Sequence, residues 1–97
     1  MDSVIQKNKS KCFLCGGGAF ESLDRHHCFE GSNRKNSEKY GLVVWLHHHK
    51  CHLYGDNAVH NNIEVARALK AEAQRKAMKH YNWSMEDWLK IFRKNYL

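Results

Sequence analysis

"LVVWLHHHKCHLYGDNAVHNN", residues 42–62, runs from a strand-like segment straight into imidazoles and a thiol. Leu42, Val43, Val44, Trp45 and Leu46 are aliphatic, β-branched or aromatic, and they predict the best strand of the chain. Behind them stand His47, His48, His49, Cys51 and His52, with His60 further on. A second thiol pair lies upstream in "CFLCGGG", where Cys12 and Cys15 have C-x-x-C spacing and the glycines after them permit a tight knuckle. Zn²⁺ takes four tetrahedral nitrogen or sulfur ligands. His48, three residues before Cys51, repeats the C-x-x-C interval with one imidazole in place of a thiolate. The predicted structural zinc set is therefore Cys12, Cys15, His48 and Cys51, with His47 serving instead if the segment is helical. Cys28 lacks a close partner and is expected to be a buried apolar residue facing away from the site.

The rest of the chain explains why such a staple is needed. Its 97 residues make one small domain, and chains of this size bury a limited core. Residues 1–11 read as a flexible basic arm, 12–62 as the zinc-bearing core and 63–97 as C-terminal helices. "AFESLDRHHCF" suggests a strand, and "EGSNRKNSEKYG" a basic loop. From residue 61 the pattern changes: Ile63, Ala66, Leu69, Ala73 and Ala77 fall at helical steps, with Asn61 as cap and Glu64 in the capping-box position. Ser84 and Asp87 mark the start of a second helix whose apolar face is Trp88, Ile91 and Phe92. Trp83, Trp88 and Phe92 are expected in the core rather than stacked on bases. The start "MDSVIQKNKSK" lacks an apolar signal core, and no stretch reaches membrane-span length. A cytoplasmic location with reduced thiols, and no membrane partner, is expected. The net charge of +6 favours polyanions, nucleic acid above all.

Eight histidines are a large excess, and most fall in two windows, around 26–27 and 47–60. Imidazole titrates near neutrality and binds transition metals, so such clusters suit base catalysis and ligation alike. His49 and His80 are expected to be exposed. "LDRHHCFEG" together with "KYGLVVWLHHHKCHLYGDNAVHNN" resembles the HNH endonuclease family, in particular the small phage- and prophage-encoded HNH proteins. The shared features are an early C-x-x-C, an H-H pair, a G-L-x-V strand, a C-H dipeptide and a later V-H. The likeness covers roughly residues 12–62. It implies an α+β chain built on a ββα-metal unit, stapled here by the zinc knuckle and followed by helices.

The resemblance also implies roles. His26 would ligate a catalytic divalent ion, and His27 would be the general base. His52 would be a ligand of the same ion and His60 a third, with Asp24 an alternative to His26. Neighbouring strand residues point to opposite faces, so His26 and His27 can serve one site only where the strand ends. Family likeness suggests Mg²⁺ or Mn²⁺, whereas imidazole donors intrinsically favour transition ions. Arg25, Arg34 and Lys35 flank the pair and are candidates for holding the phosphate backbone. The family's middle asparagine has no counterpart at 41–43, where Gly41, Leu42 and Val43 stand, so either a backbone carbonyl orients His27 or the activity is weak. The implied activity is metal-dependent hydrolysis of nucleic-acid phosphodiesters, with DNA as substrate and a phage or host protein as a further partner. The competing expectation is a non-catalytic, zinc-stabilised module that binds nucleic acid or protein.

Overall fold

The computed structural model describes residues 2–97. Strand β1 (Leu23–His27), helix α1 (Arg34–Tyr40), strand β2 (Val43–His47), helix α2 (Ile63–Tyr81) and helix α3 (Met85–Phe92) follow one another. The result is a small α+β protein with a two-stranded antiparallel sheet, Leu23 opposite His47 and His27 opposite Val43. None of the helices among the described residues is long and apolar enough to cross a membrane.

The segment expected as a loop carries α1. Nothing in "RKNSEKY" shows an apolar period; tertiary bonds hold the helix. The buried Ser37 hydroxyl donates to the Phe29 carbonyl and accepts from the Phe29 N–H. Asn36 and Asn33 donate to the Ile91 and Phe92 carbonyls at the end of α3. Gly41 ends the helix at φ +71°, and any Cβ there would overlap the Asp2 carbonyl. A left-handed, backbone-crowded position of this kind selects glycine.

The arm expected to be flexible is anchored along the outer edge of β2. Val4 N–H donates to Gly41, and the Ser3 hydroxyl to Val43. The Trp45 N–H is taken by the Gln6 side chain at 2.8 Å, and the Trp45 carbonyl accepts from Phe13 N–H at 2.8 Å. Ile5 is buried. An exposed strand edge is a template for unwanted pairing, and here side chain and loop fill it.

A two-stranded sheet is marginal alone, so α2 and α3 supply the core. Trp88 and Phe92 stack at 4.0 Å and pack with Phe29. The expected capping box of α3 forms between Ser84 and Asp87. The cap of α2 is Asn62, whose side chain accepts from Glu64 and Val65 N–H. Asn61, one residue earlier, instead donates to Tyr54 and Gly55 carbonyls. On α2 the inward face is Leu69, Ala73, Gln74 and Ala77, whereas Ile63 is 68% exposed. Gln74 earns its buried place by tying down the C-terminus through Asn95 and Tyr96.

Candidate metal centres

Between β2 and α2 the chain makes a π-helical turn, His48–Leu53. Its i→i+5 bonding puts more residues into each turn than an α-helix has, so residues four apart share a side and those three apart do not, and this decides the ligands. His47 and Cys51 meet Cys12 and Cys15, and the four form a Cys3His cluster able to hold a zinc-type ion. His47 Nδ1 lies 3.3 Å from Cys15 Sγ and 3.8 Å from Cys51 Sγ. Around a tetrahedral zinc, sulfur and nitrogen ligands sit about 3.6 Å apart, so the two spacings bracket that of an occupied shell. His47 Nε2–H donates to the Gly18 carbonyl at 2.6 Å. That bond fixes the tautomer and leaves the Nδ1 lone pair for the metal. The thiols themselves favour a cation. Burial acts to raise Cys12, but N–H groups of Cys15 and His47 and the Cys51 thiol outweigh it, bringing it to about 7. Burial, then the neighbouring Cys12 and Cys15 sulfurs, pushes Cys51 up to about 12. Three thiolates this close cannot all ionise unless a metal compensates them.

The ligand expected at His48 is thus His47. His48 turns to the other side of the turn, where its Nδ1 donates to Asp24 Oδ2 at 2.7 Å. His52, four residues on, donates to the same oxygen at 2.8 Å. Nitrogen and oxygen ligands of one tetrahedral ion would stand about 3.3 Å apart; these contacts are hydrogen bonds. Burial raises the Asp24 carboxyl, and the bonds from His52 and His48 overcome it, so its pKa lies below the usual carboxylate range. Asp24 therefore acts on His52 from behind. It takes the Nδ1–H and leaves Nε2 free, as carboxylates do behind metal-bound histidines.

The His52 ring belongs to a second group as well. His26, His52 and His60 each offer a ring nitrogen within 4.8 Å of the others. Ring centroids are 5.0 Å apart for His26–His52, 4.8 Å for His52–His60 and 5.5 Å for His26–His60. Backbone bonds from Val59 to Cys51 and from His60 to His52 lay the 58–60 segment against the π-helical turn. Gly55 permits the fold-back, since a Cβ there would overlap the Lys50 carbonyl. His26 is buried; desolvation, then His52 and His60, brings its pKa to about 3. It stays neutral at physiological pH, the form that ligates.

The second strand-end histidine sits on the other face of β1, with Arg25. Glu38 of α1 receives both. Arg25 pairs with its carboxylate at 2.7 Å through each of two nitrogens, and His27 Nε2 lies 3.2 Å from Oε1. Arg25, then His27, holds the Glu38 carboxyl at about 2. At the open end of the strand the two faces meet: His26, His27, His52 and His60 line one cavity together with Arg25, Glu30 and Arg34.

No protein-family model, curated protein or solved structure matches this chain.

Every candidate ligand of the second group is therefore brought to the others, and His27 stands at the rim they share. Arg34 lines the cavity, and Arg25 does so while engaged with Glu38. Lys35 is exposed outside it. His49 and His80 are exposed, as expected. Cys28 is fully buried, and burial, followed by the charge of Glu30, drives its thiol to about 12. It lines the neighbouring cavity beside His26 rather than facing away. Sequence reasoning missed Glu38 altogether, because a carboxylate inside an apparent loop carries no spacing signal. It also missed the second role of Asp24.

Proposed function

We propose that the chain is a metal-dependent endonuclease of the HNH type, built on a ββα-metal unit and hydrolysing phosphodiester bonds of DNA. The observation that carries this reading is the convergence of His26, His52 and His60 beside His27 in one cavity with arginine at its rim. Three imidazoles, with no carboxylate among them, favour Mn²⁺ or a later transition ion over Mg²⁺. A bound divalent ion would supply Lewis-acid stabilisation to a non-bridging phosphate oxygen and the departing 3′ oxygen. His27 takes the proton of the attacking water as the water oxygen bonds to phosphorus and the bond to the 3′ oxygen breaks. Arg34, which lines the cavity, would hold the phosphate, and such contacts carry no sequence information.

Supercoiled plasmid with Mn²⁺ or Mg²⁺, with and without chelator, tests the reading. Wild type should nick or linearise it. His27→Ala should fall by roughly 10²–10⁴-fold, the usual contribution of a general base, while keeping its zinc. The reading fails if neither ion supports cleavage, or if His27→Ala cleaves as well as wild type. A second reading, a non-catalytic zinc-stabilised binding module, is favoured by Gly41, Leu42 and Val43, which are buried where the family has its asparagine. It predicts salt-dependent DNA retention or protein binding without strand scission.

A further inference from the structure

The family asparagine is absent, yet His27 does not lack a partner. Arg25 and His27 are two residues apart on β1 and share a face. That face is met by Glu38, which α1 carries between the strands. A carboxylate only accepts hydrogen bonds, and the Arg25 pairing keeps Glu38 ionised. The 3.2 Å contact from His27 Nε2 to Glu38 Oε1 therefore places the ring proton on Nε2. Nδ1 is then the nitrogen with a lone pair, on a ring that lines the cavity of the three histidines. Arg25, gripping both oxygens of Glu38, fixes the carboxylate plane and with it the direction of the acceptor.

We infer that Glu38 is the positioning residue for His27, holding its imidazole in the Nε2–H form so that Nδ1 is the proton acceptor, with Arg25 as the clamp on Glu38. The inference rests on the endonuclease reading and specifies how its base is set. It replaces the backbone carbonyl expected from the sequence by a side chain from a helix that the sequence did not reveal. It also reassigns Arg25, whose first task is to hold Glu38 rather than phosphate.

The test is steady-state cleavage of supercoiled plasmid with Mn²⁺ by zinc-loaded wild type, Glu38→Ala, Glu38→Gln and His27→Ala, together with imidazole nitrogen NMR at pH 8. Glu38→Ala should lower kcat about 10- to 100-fold, a fraction of what loss of the base itself costs, with KM unchanged or lower because Arg25 is released towards phosphate. Glu38→Gln keeps a carbonyl acceptor and should stay within about 5-fold of wild type, the hydrogen bond being retained. The His27 Nε2–H resonance, assigned by its loss in His27→Ala, should be slow to exchange in wild type and in Glu38→Gln and be lost in Glu38→Ala. Zinc content and thermal midpoint serve as controls for folding. Equal kcat in wild type and Glu38→Ala, or a protected Nε2–H that survives in Glu38→Ala, overturns the positioning role and leaves the endonuclease reading standing. A wild type that cuts no plasmid overturns the endonuclease reading, and the catalytic role of Glu38 with it, even where the NMR signature confirms the hydrogen bond.

Discussion

Replacing His47 by alanine removes one of four donors from the Cys3His cluster, whereas replacing His48, its neighbour in sequence, leaves all four in place. Structural zinc sites bind with about 10–16 kcal/mol at neutral pH, so one ligand of four accounts for roughly 2.5–4 kcal/mol by simple division. That corresponds to a loss of about 10²- to 10³-fold in zinc affinity for His47→Ala. His48 is part-exposed, and its hydrogen bond to Asp24 lies outside the cluster. For His48→Ala a change within about 3-fold is expected, as for a surface substitution. Competition against a chromophoric chelator measures both, with metal per chain counted after gel filtration. Because His47 is wholly buried, its alanine variant also risks misfolding. His47→Cys separates the two effects: it restores a fourth donor, and should regain zinc if ligation is the role of His47. Zinc lost from His48→Ala and kept by His47→Ala would refute the argument from the π-helical turn.

Asp24→Ala removes the carboxylate behind His52 and should weaken Mn²⁺ binding at the histidine trio about 10- to 100-fold, read by titration calorimetry of zinc-loaded protein, with the zinc itself unaffected. Trp88→Ala empties the centre of the aromatic core, where the ring is fully buried and its Nε1–H donates to the Lys94 carbonyl; urea unfolding should show about 3–5 kcal/mol of lost stability. Acid should destabilise the form free of metal at the trio. His26 has a pKa of about 3 when folded against 6.5 as a free side chain, so the unfolded state binds the extra proton. The His26 contribution is complete above about 6.5 and is lost as pH falls towards 3, by roughly 1.4 kcal/mol per pH unit in between. Denaturant midpoints at pH 7 and 4.5 check the sign, and His26→Leu should flatten the slope; an unchanged slope would show that His26 is not the titrating group.

What the sequence disclosed followed from strong local chemistry. The β-branched run predicted β2 to within a residue, although β2 runs on to His47. The C-x-x-C knuckle and the alternative offered by a helical 47–51 segment contained the zinc cluster between them. His26, His52 and His60 were named as one group from the resemblance, and the structure does gather them. The misses share a cause. α1 has no apolar period, because bonds from distant residues fix it rather than an amphipathic face; its one buried residue is Ser37. The 3-versus-4 choice between His48 and His47 depended on the pitch of a turn whose hydrogen bonds the sequence does not display. Glu38 became meaningful only once that helix laid it beside β1, and the anchoring of the N-terminal arm depends on strand-edge groups of β2 that exist only after pairing.

The two centres are not independent, and the spacing of their ligands shows why. Adjacent residues serve different sites: His47 and Cys51 face the thiols of the knuckle, while His48 and His52 face Asp24. One π-helical turn thus presents one side to each. The segment from 48 to 60 buries little besides Cys51, Ala58 and Val59, too little apolar surface to fix its conformation against the roughly 1–2 kcal/mol per residue that backbone ordering costs. An ion on Cys12, Cys15, His47 and Cys51 is the largest restraint available to that turn. Its neighbour His52 inherits the orientation, and the backbone bond from His60 to His52 passes it to the third imidazole. An ion held there would therefore do more than staple a small core. It would set the angle at which His52 and His60, on a segment poor in hydrophobic contacts, are presented to His26 of β1.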